Sequence, residues 1–135
     1  MKTCNLLRFF KHSTGILSVL ILTSCGGPNE DLALAIEQEL KSNSWKEVDV
    51  AKAVPFDWDR MCILPPYLLE NNQKQILGFE APTMVSNNDS LVTLVFIKNE
   101  TVKSYTHMDR YMLDAIAQCY EQNNSLIRFK RLDSQ

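Results

Sequence analysis

Eight residues, Leu91 to Lys98 (LVTLVFIK), constrain the fold more than any others in this chain. Successive side chains of a strand point to opposite faces, so Leu91, Val95 and Ile97 lie on one side and Val92, Leu94 and Phe96 on the other. Both sides are apolar. Such a strand needs cover on both faces, which places it at the centre of a sheet. Asn99-Glu100 then gives a tight turn into Thr101 to Thr106, its hairpin partner. Arg60 to Leu64 reads as a second buried strand, halted by Pro65 and Pro66, which lack amide donors and restrict the backbone ahead of them. Phe79 to Val85 is expected as a strand demoted to an edge by Pro82, and Ser86 to Ser90 as a turn. Leu126 to Leu132 alternates Ile127 and Phe129 with Arg128 and Lys130, the pattern of a half-buried strand.

Helical spacing appears between these segments. Asn29, Glu30 and Asp31 form a helix start whose negative charges suit the positive end of the helix dipole. Leu32, Ile36 and Leu40 then recur on one stripe, so the helix runs to about Leu40 and packs through that face. Leu68 to Leu77 forms a short helix ended by Gly78. Met108, Met112, Ile116 and Cys119 fall near one helical face, with Leu113 and Tyr120 beside it, which predicts a helix that carries Cys119 to the sheet. The expected fold class is α+β, one globular domain over residues 29–135. It has an N-terminal helix, an antiparallel sheet of about four strands, and a second helix before the last strand.

The first 24 residues differ in composition. Lys2, Arg8 and Lys11 precede an apolar segment built on Ile16, Leu17, Val19, Leu20, Ile21 and Leu22, with small residues before Cys25. This is the three-part form of an export signal. A retained transmembrane helix needs about 20 apolar residues, roughly twice this run; an ordinary secretory signal, cut without acylation, is the other alternative. Leu22-Thr23-Ser24-Cys25 resembles the lipobox of bacterial prolipoproteins. The resemblance implies a signal peptide over 1–24, lipid on Cys25 as the mature N-terminus, and a short tether over 25–28 that keeps the domain close to the bilayer. In two-membrane bacteria an Asp after the cysteine retains such proteins at the inner membrane; Gly26 stands there, which implies the outer membrane, facing the periplasm. At about 0.8 kcal/mol per buried methylene, two acyl chains already anchor a protein stably.

Three of the 14 basic residues and none of the 16 acidic ones lie in that leader, so the remaining 111 residues carry 11 against 16, a net charge of −5. A basic footprint for nucleic acid is absent. So is a polybasic membrane patch, which leaves the lipid to hold the protein to the membrane. Cys4 departs with the leader and Cys25 is consumed by lipid, leaving Cys62 and Cys119. Two thiols in an oxidising compartment are most simply a disulfide. The alternatives are two inert buried thiols, or a reactive cysteine paired with His107, which requires an electropositive setting.

The densest aromatic stretch is Phe56-Asp57-Trp58-Asp59-Arg60, followed by Met61 to Leu64 and Pro65-Pro66-Tyr67. It resembles the F-x-W-D…PY pattern of small secreted or lipid-anchored bacterial proteins of unassigned function, a likeness that extends loosely to Leu94-Val95-Phe96-Ile97 and Val102. The resemblance implies an N-terminal helix followed by a mostly antiparallel sheet and transfers no active site. Read from the residues, Asp57 and Asp59 are either a general acid/base or cation-binding pair, or structural acids that cap the strand and pair with Arg60 while Trp58 anchors the core. The structural assignment is preferred. Pro65-Pro66-Tyr67 reads as a rigid turn. His107 beside Asp109 is too little for zinc, which takes three or four converging ligands.

No phosphate loop, nucleophile elbow or zinc-protease motif occurs, and no cofactor is expected. The function expected is a lipid-anchored envelope binding or accessory protein without catalytic activity. Asp57, Trp58, Asp59 and Tyr67 are its candidate partner-binding or structural residues. Alternatives are an inhibitor or immunity protein that neutralises an enzyme or toxin, and a small envelope hydrolase using Asp57, Asp59 or His107.

Overall fold

The computed structural model of the protein describes residues 27–112 and 117–128. The expected export signal over 1–24, Cys25, Gly26, the Leu113 and Ile116 part of the expected helical stripe, and Phe129 to Leu132 lie outside the described residues. Along the chain run α1 (Glu30–Ser42), β1 (Glu47–Asp49), α2 (Val50–Ala53), β2 (Arg60–Leu64), α3 (Glu70–Leu77), β3 (Leu91–Lys98), β4 (Thr101–Asp109), β5 (Gln118–Glu121), a 3₁₀ turn (Gln122–Asn124) and β6 (Leu126–Arg128). The fold is α+β: a helix at the N-terminal side, a four-stranded antiparallel sheet in the order β4-β3-β2-β5, and helical segments ahead of the later strands. A separate two-stranded ladder joins β1 to β6. Among the described residues no helix is long and apolar enough to cross a membrane.

β3 is central, as its two apolar faces require. It pairs with β2 and β4, and Val92 to Ile97 are all buried. On one face Val92, Leu94 and Phe96 join Met61, Ile63 and the Leu32-Ile36-Leu40 stripe of α1. On the other, Val95 and Ile97 pack with Cys62, Leu64, Leu77 of α3 and Met84. The sheet is thus covered by α1 with the β1–β6 ladder on one side, and by α3 with the 79–85 segment on the other.

Local chemistry sets the ends of these elements. Asn29 caps α1 by accepting from the Leu32 amide at 3.2 Å, while its own amide donates to the Tyr105 carbonyl at 2.8 Å, docking the helix start on β4. Gly78 ends α3 at φ 83°, a left-handed conformation that costs glycine little. Asn99 (φ 49°) and Glu100 (φ 55°) are both left-handed, the two-residue turn whose twist matches a hairpin.

Two expectations are corrected. Phe79 to Val85 forms no strand. Its backbone is satisfied instead by Gln73, which is fully buried on α3: the side-chain amide donates to the carbonyls of Ala81 (3.3 Å) and Pro82 (3.0 Å) and accepts from the Met84 amide (3.2 Å). The helix through Met108 and Cys119 is also overturned at both ends. Met108 sits within β4 opposite Val92, and Cys119 within β5 opposite Cys62. The helical spacing joined residues that belong to two separate strands, so it described no single element. The last strand, β6, pairs with β1 in the separate ladder, and Ile127 is buried as its alternation predicts.

Candidate functional site

Trp58 is 1% exposed and packs edge-on against Phe96, ring centroids 5.6 Å apart. The acids beside it converge on a lysine. Lys98 Nζ lies 3.0 Å from Asp57 Oδ2 and 2.8 Å from Asp59 Oδ1, and Asp59 Oδ2 accepts from the Asn99 amide at 2.7 Å. The Asn99 amide and then the Lys98 ammonium hold the Asp59 carboxyl below its ordinary range, and Asp59, followed by Asp57, raises Lys98. Asp59 also donates its backbone amide to Ile97 (2.8 Å) and accepts from the Gln122 amide (2.9 Å). One aspartate therefore ties together β2, the β3–β4 turn and the segment after β5.

The expected partner, Arg60, is elsewhere. It shares the face of Cys62 and Leu64 by alternation and donates to the Leu77 carbonyl at the end of α3. Lys98 was missed because it reads as the polar end of an apolar strand; the signal was the antiparallel register, since pairing Arg60 with Ile97 sets Asp59 beside Lys98.

His107 does not join this cluster. It lies opposite Thr93 in the β3–β4 ladder, and Nδ1 shares a 3.0 Å hydrogen bond with Thr93 Oγ1. Thr93 and Lys98 are five residues apart on β3, about 16 Å at strand rise. Burial lowers the His107 pKa. The unfolded chain then binds more protons than the folded one as pH falls below about 6.5, the unperturbed value. Stability is accordingly lost from that point down through the folded pKa. In His107→Gln this acid-sensitive component should vanish: between pH 7 and 5 the thermal midpoint of the parent should fall more than that of the variant. Parallel pH profiles would contradict the assignment.

A groove of about 690 Å³ runs along the outer edge of β4, lined by residues 27–29, 79–84 and 100–105. Its second wall is the segment held by Gln73, so that buried amide shapes it. Lys103, Glu80 and Glu100 bring the charge, with Glu80 paired to Lys74 at 2.7 Å. Asp57, Asp59 and His107 are not among its lining residues. Among the described residues no three His, Cys, Asp or Glu side chains are grouped to hold a metal ion.

A different feature marks one end of the sheet. Pro65, Pro66 and Tyr67 turn the chain after β2, with Tyr67 in the left-handed region at φ 57°, uncommon for an aromatic residue. Its amide donates to Ser86, and its ring is 61% exposed, followed by Leu69 at 71%. Tyr111, 75% exposed, follows the last residue of β4. The register Leu64↔Thr93 and Leu91↔Asp109 puts both segments at the same end. Cys62 and Cys119 form the disulfide, joining β2 to β5.

Comparison of the chain with protein-family models, curated proteins and solved structures finds no match.

Proposed function

We propose that this protein is a lipid-anchored binding or accessory module of the bacterial cell envelope, acylated at Cys25, which engages a partner protein and carries out no chemistry of its own. The observation that carries this reading is the sheet end bearing Tyr67, Leu69 and Tyr111. Of the five well-exposed large apolar side chains among the described residues, these three gather there while Leu34 and Leu126 stand apart. Exposed apolar groups gathered in one place mark interaction surfaces, and tyrosine is favoured where one residue must be both apolar and hydrogen-bonding. The direction of the chain supports it. Gly27 to Asn29 lie beside residues 100–105, the half of β4 nearer the β3–β4 turn. Asn29 docks at Tyr105, four residues before the end of β4 at Asp109, so the Tyr67–Tyr111 end lies beyond the described start of the chain by about 13 Å or more at strand rise.

Against a hydrolase stands the use of the titratable groups: Asp57 and Asp59 neutralise Lys98, and His107 is bonded to Thr93 well away from them. Two measurements test the reading. A clickable fatty acid should label the parent and not Cys25→Ser. A photo-crosslinker placed at Tyr67 or Tyr111 in cells should capture a protein that the same group at exposed Lys52 does not. Equal label on both proteins sinks the anchor, and hydrolytic turnover eliminated by Asp59→Asn at an unchanged thermal midpoint replaces the binding module with an enzyme.

A further inference from the structure

The disulfide joins neighbours in one sheet. Cys62 and Cys119 stand directly opposite in the β2–β5 ladder, with Cα atoms 4.0 Å apart. The two strands it links are held very differently. β2 has a partner on each side, and Met61 to Leu64 are fully buried. β5 has four residues at the sheet edge; Gln118, Cys119 and Glu121 are exposed, and Tyr120 is only half-buried against the core. With so little surface buried, the sulfur bridge is the one covalent tie that β5 has beside its ladder to β2 and the packing of Tyr120. The two sulfur-bearing residues differ in the same way, since Cys62 is inaccessible and Cys119 lies at the surface. Thiol exchange depends on which sulfur an incoming thiolate can reach, and exposed disulfides are the more labile ones.

We propose that Cys119 is a thiol-exchange site through which a dithiol reductant opens the bridge and releases β5 while the rest of the sheet stays folded. One thiolate of the dithiol attacks Cys119 Sγ. A new S–S bond forms there as the Cys62–Cys119 bond breaks, and the electron pair passes to Cys62 Sγ, which takes a proton. The second thiolate of the dithiol then attacks its own sulfur in the mixed disulfide, leaving Cys119 as a thiolate that is protonated and the reagent as its internal disulfide. Two electrons and two protons reach the protein. The freed Cys62 thiol already lies among Leu64, Leu77, Val95 and Ile97, where an uncharged thiol behaves as a small apolar group. β5 then keeps its ladder to β2, the half-buried Tyr120 and the Gln122–Asp59 hydrogen bond at its end, and local opening of such an element is governed by how little it buries.

Two experiments on the native oxidised protein, without denaturant, decide the matter. Glutathione, a monothiol that stops at the first step, is added and the products are acid-trapped and mapped by mass spectrometry; the adduct should sit on Cys119. After full reduction with dithiothreitol, amide hydrogen exchange in 118–121 should rise roughly tenfold or more, while 91–98 and 101–109 stay protected. An adduct on Cys62, a bridge that resists reduction until the protein is denatured, unchanged exchange in 118–121, or loss of protection throughout β3 and β4 would each overturn the proposal.

Discussion

Truncating Trp58 to alanine should destabilise the fold by roughly 3–5 kcal/mol, the usual cost of emptying a large aromatic site. Trp58 is buried against Phe96, and Phe96 in turn meets Phe56 edge-on, centroids 5.7 Å apart. The residue thus plugs an aromatic cluster at the centre of the sheet. Among the described residues its indole N–H has no hydrogen-bond partner, so truncation removes packing and no polar contact seen there. Trp58→Phe keeps a ring in place and discards that unpaired donor; it should recover a large part of the loss. Urea denaturation of the two variants measures the difference, and a cost below about 1 kcal/mol for the alanine variant would place Trp58 outside the core. The substitution also reports on the neighbouring acids. If Asp57 and Asp59 are structural, Trp58→Ala should weaken the Lys98 cluster along with the fold, with no separate functional loss.

What could be read from the sequence divides along a physical line. β2 and β3 were legible to the residue because continuous burial leaves no other use for their apolar runs. α1 was legible because capping residue, charge and apolar stripe all agree. The 79–85 segment was misread because what satisfies its backbone is a glutamine on α3, a tertiary contact that no local pattern announces. The stretch around Met108 and Cys119 was misread because residues of two different strands happen to fall at helical spacing, and the strand each joins is decided by the ladders to Val92 and Cys62.

The candidate site follows the same rule. The structural use of Asp57 and Asp59 was legible as a preference, but their partner was not, because Lys98 is 39 residues from Asp59 and meets it only through the strand register. Tyr67 was singled out as a turn residue; that Tyr111 shares its end of the sheet depends on where β4 finishes, three residues beyond the expected limit at Thr106. The groove along β4 had no signal in the sequence, since its walls come from three segments brought together by the hairpin and by Gln73.

The second large effect is expected at the bridge. A cross-link between residues 57 positions apart restricts the unfolded chain by about 4 kcal/mol when treated as loop-closure entropy, and its loss from a small domain costs about 2–5 kcal/mol. Cys119→Ala removes the link with almost no packing change, because that residue is exposed. Cys62→Ala removes the same link and also empties part of the cluster around Leu64, Leu77 and Val95, so it should cost more. The double variant should lie close to Cys62→Ala alone, since the bridge can be lost only once, and parent protein reduced without unfolding should match Cys119→Ala. Domains of this size have about 5–15 kcal/mol in hand, so at the lower end of that range the larger of these losses reaches the unfolding threshold. Equal stabilities for oxidised parent and Cys119→Ala, or two thiols freely alkylated in protein taken directly from the envelope, would mean that the bridge does not hold the fold in the cell. The ordering of the two single variants carries the sharper test, because it follows from burial alone: only a sulfur packed in the core makes its own position more costly than that of its partner.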